Sequence, residues 1–205
     1  MTNTNEKNNK KHKSHFVFGS LFIIVGIFLF GFTTFQKTVL HVVEEKKIDD
    51  FFQNTFEDKN IESLDNKKST FIAVLEIPSI NLRKGLYDSS SKSNSVSVGI
   101  EILKESDMPD ISGGILALAS HSGTSVISYF KNLENLEKKD LVYIYYNEHK
   151  YIYEIYDKLY QEKNGTIQVN KKNNDDSLLV LTTCSKEKEG YQLILLGKKI
   201  EIANY

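Results

Sequence analysis

The stretch Leu178-Leu179-Val180-Leu181-Thr182-Thr183-Cys184 decides how the chain is interpreted. It is an unbroken run of aliphatic and β-branched residues that ends on the only cysteine, and the polar turn Ser185–Gly190 follows it. A run of this kind between turns is typical of a buried strand, so its last residue is predicted to emerge at the rim of a sheet. A lone cysteine is by default a small buried apolar residue, but at a strand end a substrate could reach its thiol.

A thiol that acts as a nucleophile needs a base, and histidine is the first candidate. Four of the five histidines lie in or beside the apolar N-terminal segment or in a lysine- and tyrosine-rich hairpin: His12, His15, His41 and His149. The remaining one, His121, follows the strand-like run Gly113–Ser120 and precedes a Ser-Gly-Thr loop. Because two strand ends that are distant in sequence can face each other in a barrel, His121 is the candidate partner of Cys184, with an ordinary surface-loop histidine as the alternative.

From Phe71 onward, short apolar runs alternate with polar turns. The predicted strands are Phe71–Ile77, Ile80–Tyr87, Gly114–Ala119, Leu141–Tyr146, Tyr151–Tyr156, Leu178–Thr182, Tyr191–Leu196 and Lys199–Ile202. Many short strands without long helices are typical of an antiparallel β-barrel or a β-sandwich, and we favour the barrel. One helical segment is predicted around Val126–Leu136, where apolar residues recur at helical spacing.

Length and charge set broad limits on the function. A chain of 205 residues accommodates one ordinary domain with appendages. We assign the domain to residues 70–205. Its formal net charge of −1 argues against a nucleic-acid partner. A single cysteine excludes an intramolecular disulfide and every metal site built from several cysteines, so we expect no metal and no cofactor.

The N-terminal third predicts a membrane anchor. Residues 16–36 are uncharged and mostly apolar, and about 20 such residues span the ~30 Å hydrocarbon core as a helix. A cleaved signal peptide is the alternative, although its apolar core is usually shorter, about 7–15 residues. Lysines crowd residues 1–15, which predicts a cytoplasmic tail with the C-terminal domain outside the cell. Residues 37–69 are predicted to form a helical stalk, with a loose linker as the alternative.

Four short motifs give the chain a resemblance to a known family. They are Ile77-Pro78-Ser79-Ile80, Ala119-Ser120-His121-Ser122-Gly123, Phe130–Leu136 with Asp140, and Leu181-Thr182-Thr183-Cys184. In this order they resemble the sortases, the cysteine transpeptidases that anchor proteins to Gram-positive cell walls. The resemblance covers residues 70–205 and implies a closed antiparallel sortase-like β-barrel with one or two short helices. It does not assign the chain clearly to class B or class C.

The resemblance also implies roles for individual residues. Cys184 would be the nucleophile and His121 the proton donor for the leaving amine, with Thr183 supporting the strand end. Sortases carry an arginine in the following strand, where this chain has Gln192, whose amide brings no positive charge. Gln192 would then bind the oxyanion or substrate less strongly, or Lys186 or Lys188 would supply the charge, or activity would be lost.

Two functions are therefore carried forward. The first is a membrane-anchored transpeptidase that cleaves a signal resembling Leu-Pro-x-Thr-Gly through a thioester on Cys184. It would transfer the secreted protein to an amine of a peptidoglycan precursor. The alternative is a catalytically weak sortase-like domain that binds sorting peptides or serves as a scaffold.

Overall fold

Eight strands form one sheet within the residues that this computed structural model describes, which are 5–54, 71–171 and 173–205. In chain order the strands are β1 (Ala73–Ile77), β2 (Leu82–Leu86), β3 (Glu101–Ile102), β4 (Ile115–Ala119), β5 (Leu141–Tyr146), β6 (His149–Glu162), β7 (Leu178–Cys184) and β8 (Tyr191–Asn204). Their order in the sheet is β2-β1-β5-β6-β8-β7-β4-β3. The sheet curves into a nearly closed barrel in which β2 and β3 are the edge strands. The prediction of a mainly β barrel is confirmed.

The directions of the strands correct one part of that prediction. Every pair is antiparallel except β4 and β7, which run parallel with Ile115 opposite Leu178 and Ala119 opposite Thr182. The barrel is therefore neither fully antiparallel nor fully closed. Alternation of apolar and polar residues reports which face of a strand is buried, but it carries no information about the direction of the neighbouring strand.

Local structure differs from the prediction in two further places. Residues 126–136 form turns and one 3₁₀ turn, Leu133–Asn135, instead of an α-helix. The helical spacing arises because an irregular segment buries Phe130, Leu133 and Leu136 in the core. The strand predicted over Tyr151–Tyr156 is part of the longer β6, which continues to Glu162 and stays paired with β8 from Asp157 onward. Long-range pairing supplies the hydrogen bonds for polar residues that carry no strong strand signal of their own.

Strand β7 is buried on both faces, which explains its uninterrupted apolar sequence. Leu179 and Leu181 point into the main core of the barrel. Val180 lies on the other face, in a second cluster with Ile194 and Leu196 of β8. Part of the connection from β6 to β7 covers this second cluster, through Ile167 and Val169.

Among the described residues, one α-helix, α1 (Asn5–Asn54), precedes the barrel in sequence. The chain divides into two compact units, Met1–Val43 and Glu44–Tyr205, so the last part of α1 belongs to the same unit as the barrel. Among the residues that are described, no helix is long and apolar enough to cross a membrane. The membrane span predicted over residues 16–36 is therefore not confirmed, and residues 55–69 of the predicted stalk lie outside the described residues.

Within the second unit, the end of α1 packs on strands β1 and β2. Ile48 is fully buried against Phe71 and Val74. Two ion pairs flank this contact: Lys84 Nζ lies 2.7 Å from Glu44 Oε2, and Arg83 Nη1 lies 3.3 Å from Glu45 Oε2.

We expect Gly85→Ala to destabilise this unit. A Cβ at position 85 would lie 2.2 Å from Cδ2 of Phe71, and that ring is buried against Ile48, so it cannot move away without opening the contact. Overpacking of this kind typically costs about 1–3 kcal/mol. Urea unfolding followed by circular dichroism should show a lower midpoint with an unchanged m-value.

Gly99→Ala is the matched control, since a Cβ there would lie 3.7 Å from the ring of Tyr129, which is an ordinary contact. An equal loss of stability in both variants would show that the Phe71 contact is not the cause.

Candidate active site

The parallel pairing of β4 with β7 brings the carboxyl ends of both strands to the same edge of the sheet. The observed register ends with Ala119 opposite Thr182. One residue further along, the hydroxyl of Thr183 donates a 2.7 Å hydrogen bond to the carbonyl oxygen of Ser120. Extending this register by one more residue would set His121 opposite Cys184, at the spacing of about 4.8 Å that separates neighbouring strands.

The backbone around His121 is held from both sides. Ser120 is buried and its hydroxyl donates to the carbonyl oxygen of Gly99 at 3.0 Å. The carbonyl oxygen of His121 accepts a 3.1 Å hydrogen bond from the backbone N–H of Phe130, whose side chain is in the core. His121 itself is exposed and Cys184 is partly exposed. The loop therefore presents an accessible imidazole from a fixed backbone.

His149 is far from the thiol along the sheet. It begins β6 and lies opposite Asn204, whereas the part of β6 near Cys184 is Gln161, which faces Gln192. Twelve residues of strand separate His149 from Gln161, which corresponds to about 40 Å of chain. The register thus places His149 far from Cys184 along the sheet, and the role of His121 stays a prediction.

Gln192 lies directly across from Cys184 in the β7–β8 pair. Its side-chain nitrogen donates a 2.8 Å hydrogen bond to the carbonyl oxygen of Thr166, in the connection between β6 and β7. Gln161 holds the same connection through a reciprocal pair of hydrogen bonds with the backbone of Gln168. In this structure Gln192 therefore holds a loop next to the thiol, and Thr183 holds the loop of His121.

The backbone N–H groups that follow Cys184 all have hydrogen-bond partners, in the β7–β8 turn or on Glu134. The N–H of Ser185 donates to the carbonyl oxygen of Tyr191, and the N–H of Lys186 donates to Glu134 Oε1, each at 3.0 Å. The next two N–H groups both donate to the hydroxyl of Ser185.

Tyr160 ties the same turn to β6. Its hydroxyl donates a 2.9 Å hydrogen bond to Glu187 Oε2. Desolvation of the phenol, together with this hydrogen bond and the charge of Glu187, raises the pKa of Tyr160 to about 12. The hydroxyl therefore stays protonated at neutral pH and continues to donate to the turn.

Sequence reasoning missed one residue of this site, Lys163. Its ammonium nitrogen lies 3.3 Å from the sulfur of Cys184. Lys186 and Lys188 were the lysines considered from the sequence, but Lys186 donates to the carbonyl oxygen of Lys131, and Lys188 lies 5.2 Å from the ring centroid of Tyr160. The only signal for Lys163 was its place just before the Asn-Gly turn that follows β6.

No group of three or more His, Cys, Asp or Glu side chains gathers as a metal site in the described ranges. Cys184 ends β7, and His121 follows the end of the neighbouring strand β4. A family model for the sortase domain matches residues 75–199. The chain belongs to the sortase family. Sortase-domain homologues are cysteine transpeptidases.

Individual relatives agree with this assignment. Over 121 residues the chain is 31% identical to Sortase A of Bacillus anthracis, a match that covers 59% of this chain and 54% of that protein. The chain thus spans about half the length of this curated relative. The solved structure of a Clostridium perfringens Sortase D5 transpeptidase is similar in fold, with a TM-score of 0.60 at 22% identity, covering 78% of this chain and 99% of the other. Sortase C of Streptococcus pneumoniae gives a TM-score of 0.58 at 20% identity over 74% and 79% of the two chains.

The Thr183 hydrogen bond generates a prediction about stability. Thr183→Val keeps the shape of the side chain but leaves the carbonyl oxygen of Ser120 without this donor in a buried position, which typically costs about 1–3 kcal/mol. Thr183→Ser retains the hydroxyl and should lose less. Chemical denaturation of the three proteins measures the difference, and a Val variant at least as stable as the Ser variant would contradict it.

Proposed function

We propose that this protein is a cysteine transpeptidase in which Cys184 is the nucleophile and His121 the proton carrier. The observation that carries the proposal is the parallel β4–β7 register, extended by the hydrogen bond from Thr183 to Ser120. Membership of the sortase family supports the same reaction class.

The first half of the proposed reaction is acyl transfer to the thiol. The Cys184 thiolate attacks the carbonyl carbon of a scissile peptide bond in a signal resembling Leu-Pro-x-Thr-Gly. The C–N bond breaks, His121 gives a proton to the leaving amine, and a thioester remains on Cys184.

The second half returns the enzyme to its starting state. An amine, which we propose belongs to a peptidoglycan precursor, attacks the thioester carbonyl and gives a proton to His121. The new amide bond forms as the C–S bond breaks and the Cys184 thiolate leaves. The partners are thus secreted proteins that carry the sorting signal and the amine that accepts them, and the reaction requires no metal or cofactor.

A sorting-peptide binder or scaffold with weak activity is the second candidate. It is favoured by Gln192, which stands where sortases carry an arginine and whose side-chain nitrogen donates to Thr166. A binder would retain affinity for the peptide but would form no thioester.

We further propose that residues 16–36 anchor the chain in the cell membrane, with the N-terminus in the cytosol and the barrel outside. In the described part of α1, large apolar side chains are exposed, among them Phe22 at 76% and Phe30 at 78%. A dense set of exposed apolar side chains marks a surface that is covered by lipid or another protein. The lysine-rich residues 1–15 favour the cytosolic side.

Cys184→Ala and His121→Ala are each expected to abolish peptide cleavage and transfer, because one removes the nucleophile and the other the proton carrier. The measurement is cleavage of a Leu-Pro-x-Thr-Gly peptide in the presence of an amine, with intact-mass detection of the thioester. Thermal midpoints should stay close to that of the wild type, because the thiol and imidazole are at the surface. His149→Ala is the control and should retain activity.

Tight peptide binding by the wild-type protein without thioester or product would favour the binder. A Cys184→Ala variant that turns over substrate would contradict the assignment of the nucleophile.

The single cysteine gives a direct test of the proposed orientation. An impermeant maleimide added to intact cells should label the wild-type chain and leave Cys184→Ala unlabelled, because an extracellular barrel exposes the thiol to the medium. Labelling of the wild type only after the cells are lysed would contradict the orientation.

A further inference from the structure

We infer that Lys163 is the cation that acts at Cys184, in place of the arginine that sortases carry in the strand after the cysteine. This inference rests on the proposed function and adds a catalytic residue to it. Its basis is the 3.3 Å contact between Lys163 Nζ and Cys184 Sγ. At this distance an ammonium group stabilises negative charge on the sulfur, and on an oxyanion that forms at an acyl carbon bonded to it.

The fold holds Lys163 at the correct end of the barrel. Glu162, the last residue of β6, lies opposite Tyr191, and the backbone N–H of Lys163 donates a 2.9 Å hydrogen bond to the carbonyl oxygen of Gly190. The pairing of β6 with β8 therefore extends one residue beyond the strand. Because Gln192 of β8 also faces Cys184, the start of β8 links Lys163 to the thiol.

The segment after Lys163 is fixed on the same strands. Gln192 binds the carbonyl oxygen of Thr166, and Gln161 binds the backbone of Gln168 at both its N–H and its carbonyl oxygen. Asn164 also accepts hydrogen bonds from the backbone and hydroxyl of Thr166. With both sides of Lys163 held, less conformational freedom is lost when its side chain contacts the sulfur.

Competing donors near the sulfur have other partners. The backbone N–H groups of residues 185, 187 and 188 donate within the turn, that of Lys186 donates to Glu134, and the Thr183 hydroxyl donates to Ser120. Gln192 donates to Thr166, in the connection that begins at Lys163. Position 192, where sortases carry the arginine, therefore holds this connection in place. The function of one arginine is thereby divided between two residues, with the charge on Lys163 and the placement on Gln192.

The decisive experiment measures local charge at the sulfur independently of turnover. The full-length protein is alkylated at Cys184 with anionic iodoacetate and, separately, with neutral iodoacetamide, and the two rates are compared. Both reagents react with the same thiolate, so the thiolate fraction cancels in the ratio of the rates. A nearby ammonium group raises this ratio because it attracts the anionic reagent.

Lys163→Met should lower the ratio about fivefold, which corresponds to the ~1 kcal/mol between unit charges 4 Å apart in water. Lys163→Arg should retain the ratio, since it keeps the charge. Lys188→Met is the matched control, because it removes the same charge from the same end of the barrel, where its ammonium lies over Tyr160 and Tyr191. Its ratio should equal that of the wild type.

The kinetic consequence is measured in the same variants. Lys163→Met should lower kcat/KM for peptide transfer by about 10²–10³, the usual loss when one oxyanion donor is removed, and Lys163→Arg should recover most of it. An unchanged alkylation ratio in Lys163→Met, or a lowered ratio with undiminished turnover, would overturn the inference. A wild-type protein that has no transfer activity but shows the predicted ratios would instead refute the proposed function and leave Lys163 as the charge at Cys184.

Discussion

The parallel contact between β4 and β7 is the constraint on which the proposed site depends. These two strands are joined in sequence by more than fifty residues, and their register alone sets the carboxyl end of one beside that of the other. The Thr183–Ser120 hydrogen bond extends the register past the end of β4. A shift by one residue would turn Cys184 to the other face of the sheet and separate it from the loop of His121.

The apolar faces of β7 explain why this register is stable. Leu179 and Leu181 fill the barrel core, and Val180 is covered on the outer face. A register shift of β7 by one residue would therefore disrupt the packing on both faces. The polar residues after β7 are not needed for this packing, so their side chains can hold the loops around the thiol. Gln161 and Gln192 hold one of these loops, and Glu134 and Tyr160 hold the other.

The sequence predicted the strands with strong apolar patterns more accurately than the irregular segments. Strand β7 and the barrel class both followed from local signals. Of the helical segment expected around Val126–Leu136, only the 3₁₀ helix Leu133–Asn135 forms, because Phe130, Leu133 and Leu136 reach the core largely from turns. Lys163 was missed because its contact with Cys184 spans 21 residues of sequence and crosses two strand pairs.

The sequence by itself determined which reactive side chains the chain has and where they lie. It has one thiol at the end of an apolar strand, one histidine at another strand end, and no arginine where the resemblance to sortases leads us to expect one. These are properties of single positions and of patterns with a period of two residues. The tertiary structure alone decided that β4 and β7 run parallel and that Lys163, not Lys186 or Lys188, lies at the sulfur. Both depend on pairing between distant segments, whose free energy comes from contacts that no local stretch of residues contains.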